Sequence, residues 1–290
     1  MRVTLVATYE LGRQPFGLAS PAAWLREAGI HVTTIDLSRE PFRPAAFDTD
    51  LVAFHLPMHT ATRLAVPVIR RVQALYPTAT LCCYGLYAQL NEPVLRDLGV
   101  EHVLGGEFEQ ALVEVATADG GVAAGRSAHG DLPRLRFRVP ERRGLPSLAR
   151  YASLRTATGD CRVVGYTEAS RGCKHRCRHC PVVPVYEGRF RAVPRDVVLA
   201  DVRAQVEAGA RHITFGDPDF FNGIGHAVAI VEACASEFPS LSYDVTIKVE
   251  HLRRHDGELT TLRDTGCLFV VTAVESIDDA VLSRLDKGHT

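Results

Sequence analysis

The chain has 290 residues, 46% of them hydrophobic and 23% charged, with a formal net charge of −1. That content suits a folded protein with a substantial core, long enough for two domains of ordinary size, and it excludes a disordered chain. The balanced charge encodes no general attraction to nucleic acid or to an anionic membrane, so neither is an expected partner and any basic site must be local.

The opening run, MRVTLVATYE, carries one arginine and then a short apolar stretch without a small-residue cleavage site, which does not read as a signal peptide. No window reaches the roughly 18 uninterrupted apolar residues of a membrane span. A cytoplasmic location is therefore expected, where eight cysteines argue for metal or catalytic roles rather than disulfides. Cys82, Cys83, Cys161, Cys234 and Cys267 lie in apolar or scattered contexts and read as small buried hydrophobes.

From residue 1 to 115, short β-rich runs alternate with helical periods. Strands are expected over residues 3–7, 31–37, 50–56, 80–86 and 102–106. Ser20 and Pro21 read as the N-cap and first turn of a helix that buries Trp24, Leu25 and Ala28 and stops at Gly29. A second helix carries Leu64, Ala65, Val68, Ile69, Val72 and Leu75 on one face. Strands separated by helical crossovers predict a doubly wound parallel sheet.

Residues 116–150 are rich in Gly, Pro and Arg, keep no period, and read as a linker. The alternation resumes over residues 151–290, with strands expected at 162–170, 212–218, 243–250 and 267–276. Helices are expected from Pro194, with Val198, Val202 and Val206 on one face, and at 227–238, 259–264 and 279–285. These βα units read as the first half of a (β/α) barrel, apparently truncated at its C-terminus, since a closed barrel needs roughly eight units and a partial barrel about six.

Directly after the first strand of this second domain comes SRGCKHRCRHCPVVP, with Cys173, Cys177 and Cys180 in a C-x3-C-x2-C spacing among Arg171, Lys174, His175, Arg176, Arg178 and His179. The C-terminal end of a strand is where such folds place their chemistry. Zinc is one reading, with His175 or His179 completing the three thiolates, although structural zinc sites usually come as two separated pairs. A [4Fe-4S] cubane takes one thiolate per iron, so three cysteines leave one iron open to a small molecule. The cations are expected to lower the thiol pKa values and to offset the cluster's negative charge.

This motif resembles the signature of radical S-adenosylmethionine (SAM) enzymes. The resemblance implies a cluster on Cys173, Cys177 and Cys180 whose open iron chelates the amino and carboxylate groups of SAM. One electron, from a donor such as flavodoxin or ferredoxin, would then release a 5′-deoxyadenosyl radical that abstracts hydrogen from an unknown substrate. By the same resemblance Gly216, Asp217 and Asp219, in FGDPDF, would touch the methionine moiety and Glu275, in AVES, the ribose, with Lys248 and Glu250 at the end of the third strand. Turn formers and solvated strand ends are the plain alternative for these positions.

The domain order resembles radical SAM enzymes with an N-terminal cobalamin-binding domain. The segments YELGRQPFGLASPAAWLREAG, LPMHTATRLA, GYTEASRGCKHRCRHCPVVPVY and HITFGDPDFFN resemble the CUAEP/CCAEP-tail radical SAM proteins. Cobalamin is the cofactor so implied, with methylation or rearrangement as the outcome. The Asp-x-His-x-x-Gly motif of many cobalamin proteins is replaced by YELGRQPFG, without histidine. His55 and His59, after the third strand, and Gly12, Gly17, Gly85 and Gly105, in loops, are the candidate lining. A sheet that only covers the barrel or docks a partner is the alternative for this domain. A non-catalytic iron-sulfur or zinc module is the alternative for the whole chain.

Overall fold

The computed structural model describes residues 1–117, 132 and 134–289, so most of the expected linker, residues 118–131 and 133, lies outside the described residues. The chain forms two compact units, Met1–Pro146 and Ser147–Thr290.

The first unit runs β1 (Arg2–Ala7), α1 (Phe16–Glu27), β2 (His31–Asp36), β3 (Leu51–His55), α2 (His59–Leu75), β4 (Thr80–Tyr84), α3 (Leu86–Leu90), α4 (Glu92–Asp97), β5 (His102–Leu104) and α5 (Glu109–Thr117). Its sheet is wholly parallel in the order β2-β1-β3-β4-β5. Helices cover both faces, which is why these strands are apolar almost throughout. Alternate residues of β1 divide between two cores: Val3, Leu5 and Ala7 pack with Leu18, Leu25 and Leu112, and Val6 packs with Ile35, Ile69 and Leu95.

Two helices differ from their expected form. α1 begins at Phe16, so Ser20 and Pro21 lie inside it rather than at its start. Pro21 has no N–H for the Gly17 carbonyl four residues earlier, and the Tyr84 hydroxyl donates to that carbonyl instead, at 2.8 Å. Ser20 donates its hydroxyl hydrogen to Glu109 Oε1. Of the expected apolar face, Leu25 is buried, Trp24 is half-buried under Arg138, and Ala28 is exposed. In α2 the buried face is Ala61, Thr62, Ala65, Ile69 and Val72, leaving Leu64 and Leu75 exposed.

The second unit runs β6 (Ser153–Arg155), β7 (Cys161–Thr167), β8 (Ser170–Gly172), α6 (Val183–Tyr186), β9 (Phe190–Ala192), α7 (Arg195–Glu207), β10 (His212–Phe215), α8 (Ile224–Glu237), β11 (Ser242–Thr246), α9 (Val249–Arg254), α10 (Glu258–Asp264), β12 (Cys267–Val271) and α11 (Asp279–Leu285). A sheet curled into a half-barrel follows the order β12-β11-β10-β7-β6, parallel except for the added β6. One face of β10 and β11 sets Ile213, Phe215 and Tyr243 against α7 and α8. The other face is polar: His212 Nδ1 meets Ser242 at 2.7 Å, its Nε2 meets Asp244 at 2.9 Å, and Thr214 donates to the same carboxylate. β12 forms an edge on which Leu268, Phe269 and Val271 are exposed.

The expected first strand of this unit ends at Thr167, and Ser170–Gly172 forms a separate ribbon with β9. Lys248 and Glu250 do not end a strand: β11 stops at Thr246, Lys248 is the N-cap of α9 and Glu250 lies in its first turn. Cys82, Cys83 and Cys234 are buried as expected, whereas Cys161 is exposed and Cys267 half-buried.

Candidate metal centre

The cysteine loop leaves the C-terminal end of the half-barrel through β8 and returns through β9, so a two-stranded ribbon closes its base. Gly172 sits at φ +73°, and a Cβ there would fall 2.4 Å from the Arg189 carbonyl oxygen, so no other residue fits the crossing. Further along, the Cys180 N–H donates to the Cys177 carbonyl at 3.1 Å, and the Val183 N–H donates to that of Cys180. These turns fold the second and third cysteines back towards one another. Cys177 is buried, Cys173 and Cys180 are half-buried, and all three thiols are free.

Every parallel strand of the half-barrel sends a group to this loop from its C-terminal end. After β10, the Asp217 carboxylate accepts from the Ala169 N–H at 2.9 Å and from the Ser170 hydroxyl at 2.5 Å, and so anchors the loop's first residues. Asn222 accepts the Lys174 N–H at 3.1 Å and lies 3.8 Å from Cys173 Sγ. Asp219 faces His175 Nε2 at 3.2 Å and His251 Nδ1 at 2.7 Å, and it also accepts the N–H groups of Phe221 and Lys248. After β11, the Lys248 ammonium donates to His175 Nδ1 at 3.0 Å and pairs with Glu250 at 3.2 Å. After β12, Glu275 meets His179 Nε2 at 3.1 Å and Lys287 at 3.3 Å. Glu275 holds the left-handed φ of +69°, which costs a non-glycine residue about 1–2 kcal/mol. Gly216 sends no group to the loop: its N–H donates to the Thr167 carbonyl at 2.8 Å, and a Cβ there would run into the Tyr166 hydroxyl, so it makes room for that ring.

The expected lowering of the thiol pKa does not hold at Cys173. Burial pushes this thiol up, and its hydrogen bonds with the His175 backbone and with the Asn222 side-chain oxygen, the latter an acceptor, offset that only in part. The cations of the loop are directed elsewhere: Arg171 pairs with Glu168, Lys174 lies over the Phe190 ring, and Arg176 donates to the Glu187 carbonyl. Burial pushes the Asp217 carboxyl up to about 6 against its hydrogen bonds. At Asp219 burial acts the same way, but the hydrogen bonds from His175 and His251 outweigh it and hold the carboxyl well below its usual range. Burial opposes the ionisation of Glu275 too, and Lys287 and His179 overcome it.

The donor set fits a cluster with an open corner. His175, one fourth ligand considered for zinc, has Nδ1 on Lys248 and faces Asp219 with Nε2. His179 has Nε2 on Glu275. Among the described residues, the His, Cys, Asp or Glu group whose ligand atoms all lie within 4.8 Å is Cys173, His175 and Asp219. The three thiols are spread more widely than the shell of a single ion, as a cubane with its irons at separate corners requires. Asn222, His251 and Lys287 are partners that the motif alone did not single out; only their position after successive barrel strands points to them.

At the C-terminal edge of the N-terminal sheet, a cavity of about 490 Å³ is bordered by Thr8, Tyr9 and Gly12 after β1, Leu37 and Arg39 after β2, and Leu64 of α2. The glycines expected here have separate uses. Gly12 lines the cavity at φ +78°, Gly17 and Gly85 lie against the His55 ring, and Gly105 lies against the Gln89 side chain. Of the expected glycines, Gly12 alone borders the cavity, beside the side chains of Tyr9, Leu37, Arg39 and Leu64, at the strand ends where doubly wound sheets bind ligands. His59 is exposed at the start of α2. No helix among the described residues is long and apolar enough to cross a membrane.

The Radical SAM superfamily model matches residues 167–290. The ribosomal protein uS12 methylthiotransferase RimO of Geobacter sulfurreducens is 24% identical over 177 residues, covering 56% of this chain and 39% of that protein. The tRNA-2-methylthio-N(6)-dimethylallyladenosine synthase of Chlorobium luteolum is 32% identical over 141 residues, covering 44% of this chain and 30% of that protein. The chain thus matches less than two fifths of the length of either relative. Among solved structures, the radical S-adenosylmethionine methyltransferase TsrM of Kitasatospora setae, with tryptophan substrate and a SAM analog, superposes with a TM-score of 0.77 at 19% identity, over 100% of this chain and 62% of that one. TsrM with cobalamin and a [4Fe-4S] cluster gives 0.73, also at 19% identity, over 100% of this chain and 64% of that one. The N-terminal sheet and the half-barrel therefore share their fold with a protein that holds both cofactors.

Proposed function

We propose that this chain, which carries a Radical SAM domain over residues 167–290, is a radical SAM enzyme. Cys173, Cys177 and Cys180 hold a [4Fe-4S] cluster, and the N-terminal unit binds cobalamin. When bound, the cluster supplies the electron that cleaves SAM into methionine and a hydrogen-abstracting 5′-deoxyadenosyl radical, and cobalamin supplies a methyl carrier or a site for rearrangement. The single observation that carries this reading is the loop itself: three free thiols in a C-x3-C-x2-C spacing that do not converge on the shell of one ion.

The chain's own residues then have definite tasks. Asp217 and Asn222 fix the start of the loop, Asp219 and Lys248 fix the gap between the first two cysteines, and Glu275 fixes the gap between the last two. Asp217 and Asp219 are turned to the loop, and contact of Gly216, Asp217 and Asp219 with the methionine moiety rests on the resemblance alone. Lys174, Arg176, Arg178 and His179 are exposed around buried Cys177, a basic rim that suits an acidic electron donor such as flavodoxin or ferredoxin. The substrate class is open, with methylation or rearrangement as the outcome. The finer likeness to the CUAEP/CCAEP-tail proteins rests on the sequence segments quoted above.

Anaerobic reconstitution with iron and sulfide, followed by dithionite and SAM, is expected to yield 5′-deoxyadenosine. An intact cluster that forms none would reject the reading. The convergence of Cys173, His175 and Asp219 favours a second reading, a non-catalytic zinc or iron-sulfur module. Metal analysis separates the two, with about four irons and acid-labile sulfide per chain for the enzyme and one zinc for the module.

A further inference from the structure

Beside the cysteine loop, three buried polar atoms face one another. His175 Nε2 lies 3.2 Å from Asp219 Oδ2, and His251 Nδ1 lies 2.7 Å from the same oxygen. Among the described residues none of the three has an aligned hydrogen bond, despite that spacing. Cys173 Sγ adds a soft donor at the same place: the ligand atoms of Cys173, His175 and Asp219 all lie within 4.8 Å of one another. Neither Cys177 nor Cys180 belongs to this group.

Buried polar atoms normally find hydrogen-bond partners, and a set that faces inward without alignment is the arrangement a bound cation satisfies. The two donors beside the thiol are fixed from behind. Asp219 spends Oδ1 on the N–H groups of Phe221 and Lys248, at 3.3 Å each, which leaves Oδ2 for the ion. His175 has Nδ1 on the Lys248 ammonium at 3.0 Å, with Glu250 3.8 Å away, which aims Nε2 at the carboxylate. A sulfur, a nitrogen and an oxygen donor together suit a borderline cation, Zn²⁺ or Fe²⁺, over Mg²⁺ or Ca²⁺.

We infer that Cys173, His175 and Asp219 form a mononuclear site for a borderline divalent cation, occupied in place of the [4Fe-4S] cluster because both need Cys173. The inference rests on the cluster assignment given above only for that shared thiolate. Three protein donors leave the fourth tetrahedral position to water. On binding, Sγ and Nε2 release their protons to solvent, and the hydrogen bond between Lys248 and Nδ1 is kept with its proton drawn towards Nδ1. The chain thus has two exclusive metal states: one ion held by the loop together with the turn after β10, or a cubane held by the loop's three thiolates.

The test uses the full cluster-free chain and Co²⁺, whose absorption reports its ligands. One cobalt per chain is expected, with tetrahedral visible bands and a thiolate-to-cobalt charge-transfer band in the near ultraviolet. Cys177→Ala and Cys180→Ala are expected to keep that band and Cys173→Ser to lose it, whereas each of the three is expected to lose the absorbance of the reconstituted cluster. His175→Gln and Asp219→Asn are expected to weaken cobalt binding about 10-fold or more, since even the outer partners of a ligand carry that much. One equivalent of Zn²⁺ added first is expected to keep iron and sulfide from building the cluster until it is chelated. No cobalt bound, cobalt bound without the charge-transfer band, or a band lost equally in Cys177→Ala overturns the inference; if such a chain still yields 5′-deoxyadenosine after reconstitution, the enzyme reading stands. Cobalt bound in the expected pattern by a chain that never assembles four irons upholds the ion site and rejects the enzyme reading.

Discussion

Asp219→Asn tests how the cysteine loop is held. The carboxylate is 2% exposed, and its Oδ2 faces two imidazole nitrogens, His175 Nε2 and His251 Nδ1. His175 cannot change tautomer to suit a new neighbour, because its Nδ1 already accepts a hydrogen from the Lys248 ammonium. In the Asp219→Asn variant the remaining carbonyl oxygen keeps the N–H groups of Phe221 and Lys248, so the amide NH₂ replaces Oδ2 and sets a donor against a donor. His175 is the donor so stranded, at about 1–3 kcal/mol, since no hydrogen bond keeps the His251 proton on Nδ1 and that ring can accept from the new amide; the loss stands against a total stability of about 5–15 kcal/mol for a typical domain. Urea unfolding of the cluster-free chain, followed by circular dichroism, measures it. The cause is checked with His175→Ala: the double variant is expected to recover about 1–3 kcal/mol relative to additivity, since one clash is gone. Hydrogen exchange of residues 173–180 is expected to rise in Asp219→Asn alone. A change below about 0.5 kcal/mol, or strict additivity with His175→Ala, would refute the proposed polarity of the network.

Asp217, with its carboxyl pushed up to about 6, binds its proton more tightly in the folded chain than in the unfolded one. Its effect on stability is therefore most favourable below pH 4 and is lost as pH rises to about 6, on the order of 3 kcal/mol over that window, and Asp217→Asn is expected to flatten the dependence in urea titrations. Tyr84→Phe removes the donor to the Gly17 carbonyl and is expected to cost about 1–2 kcal/mol, and less in a Pro21→Ala background, where a helical N–H takes over; equal costs in both would contradict the capping role. Cys177→Ala is expected to abolish the visible absorbance of the reconstituted cluster. Cys234→Ala, at a buried thiol pushed up to about 12, leaves that absorbance intact, and a need for Cys234 would break the three-ligand assignment.

Much of the fold was legible because periodicity is a local property. Alternating β-rich and helical runs placed the parallel strands of both units, though not the short antiparallel β6, β8 and β9, and the cysteine spacing marked the loop before any contact was known. The departures occur where a distant residue intervenes. Pro21 read as a helix start by its own chemistry, yet it lies in the helix interior because Tyr84, 63 positions later, satisfies the carbonyl that Pro21 leaves open. Lys248 and Glu250 read as strand-end charges, whereas the chain turns into α9 there and directs Lys248 at His175, 73 positions earlier.

The amino-acid order alone determined the α/β class, the order of the two sheets and the three thiols with their spacing, since these depend on neighbours a few residues apart. Only the tertiary structure decided which acid meets which histidine, and that Arg171, Lys174 and Arg176 take partners other than the thiols. Those pairings are made where the ends of different strands converge on one edge of a sheet, and burial there sets each group's partners and protons through every element around it at once.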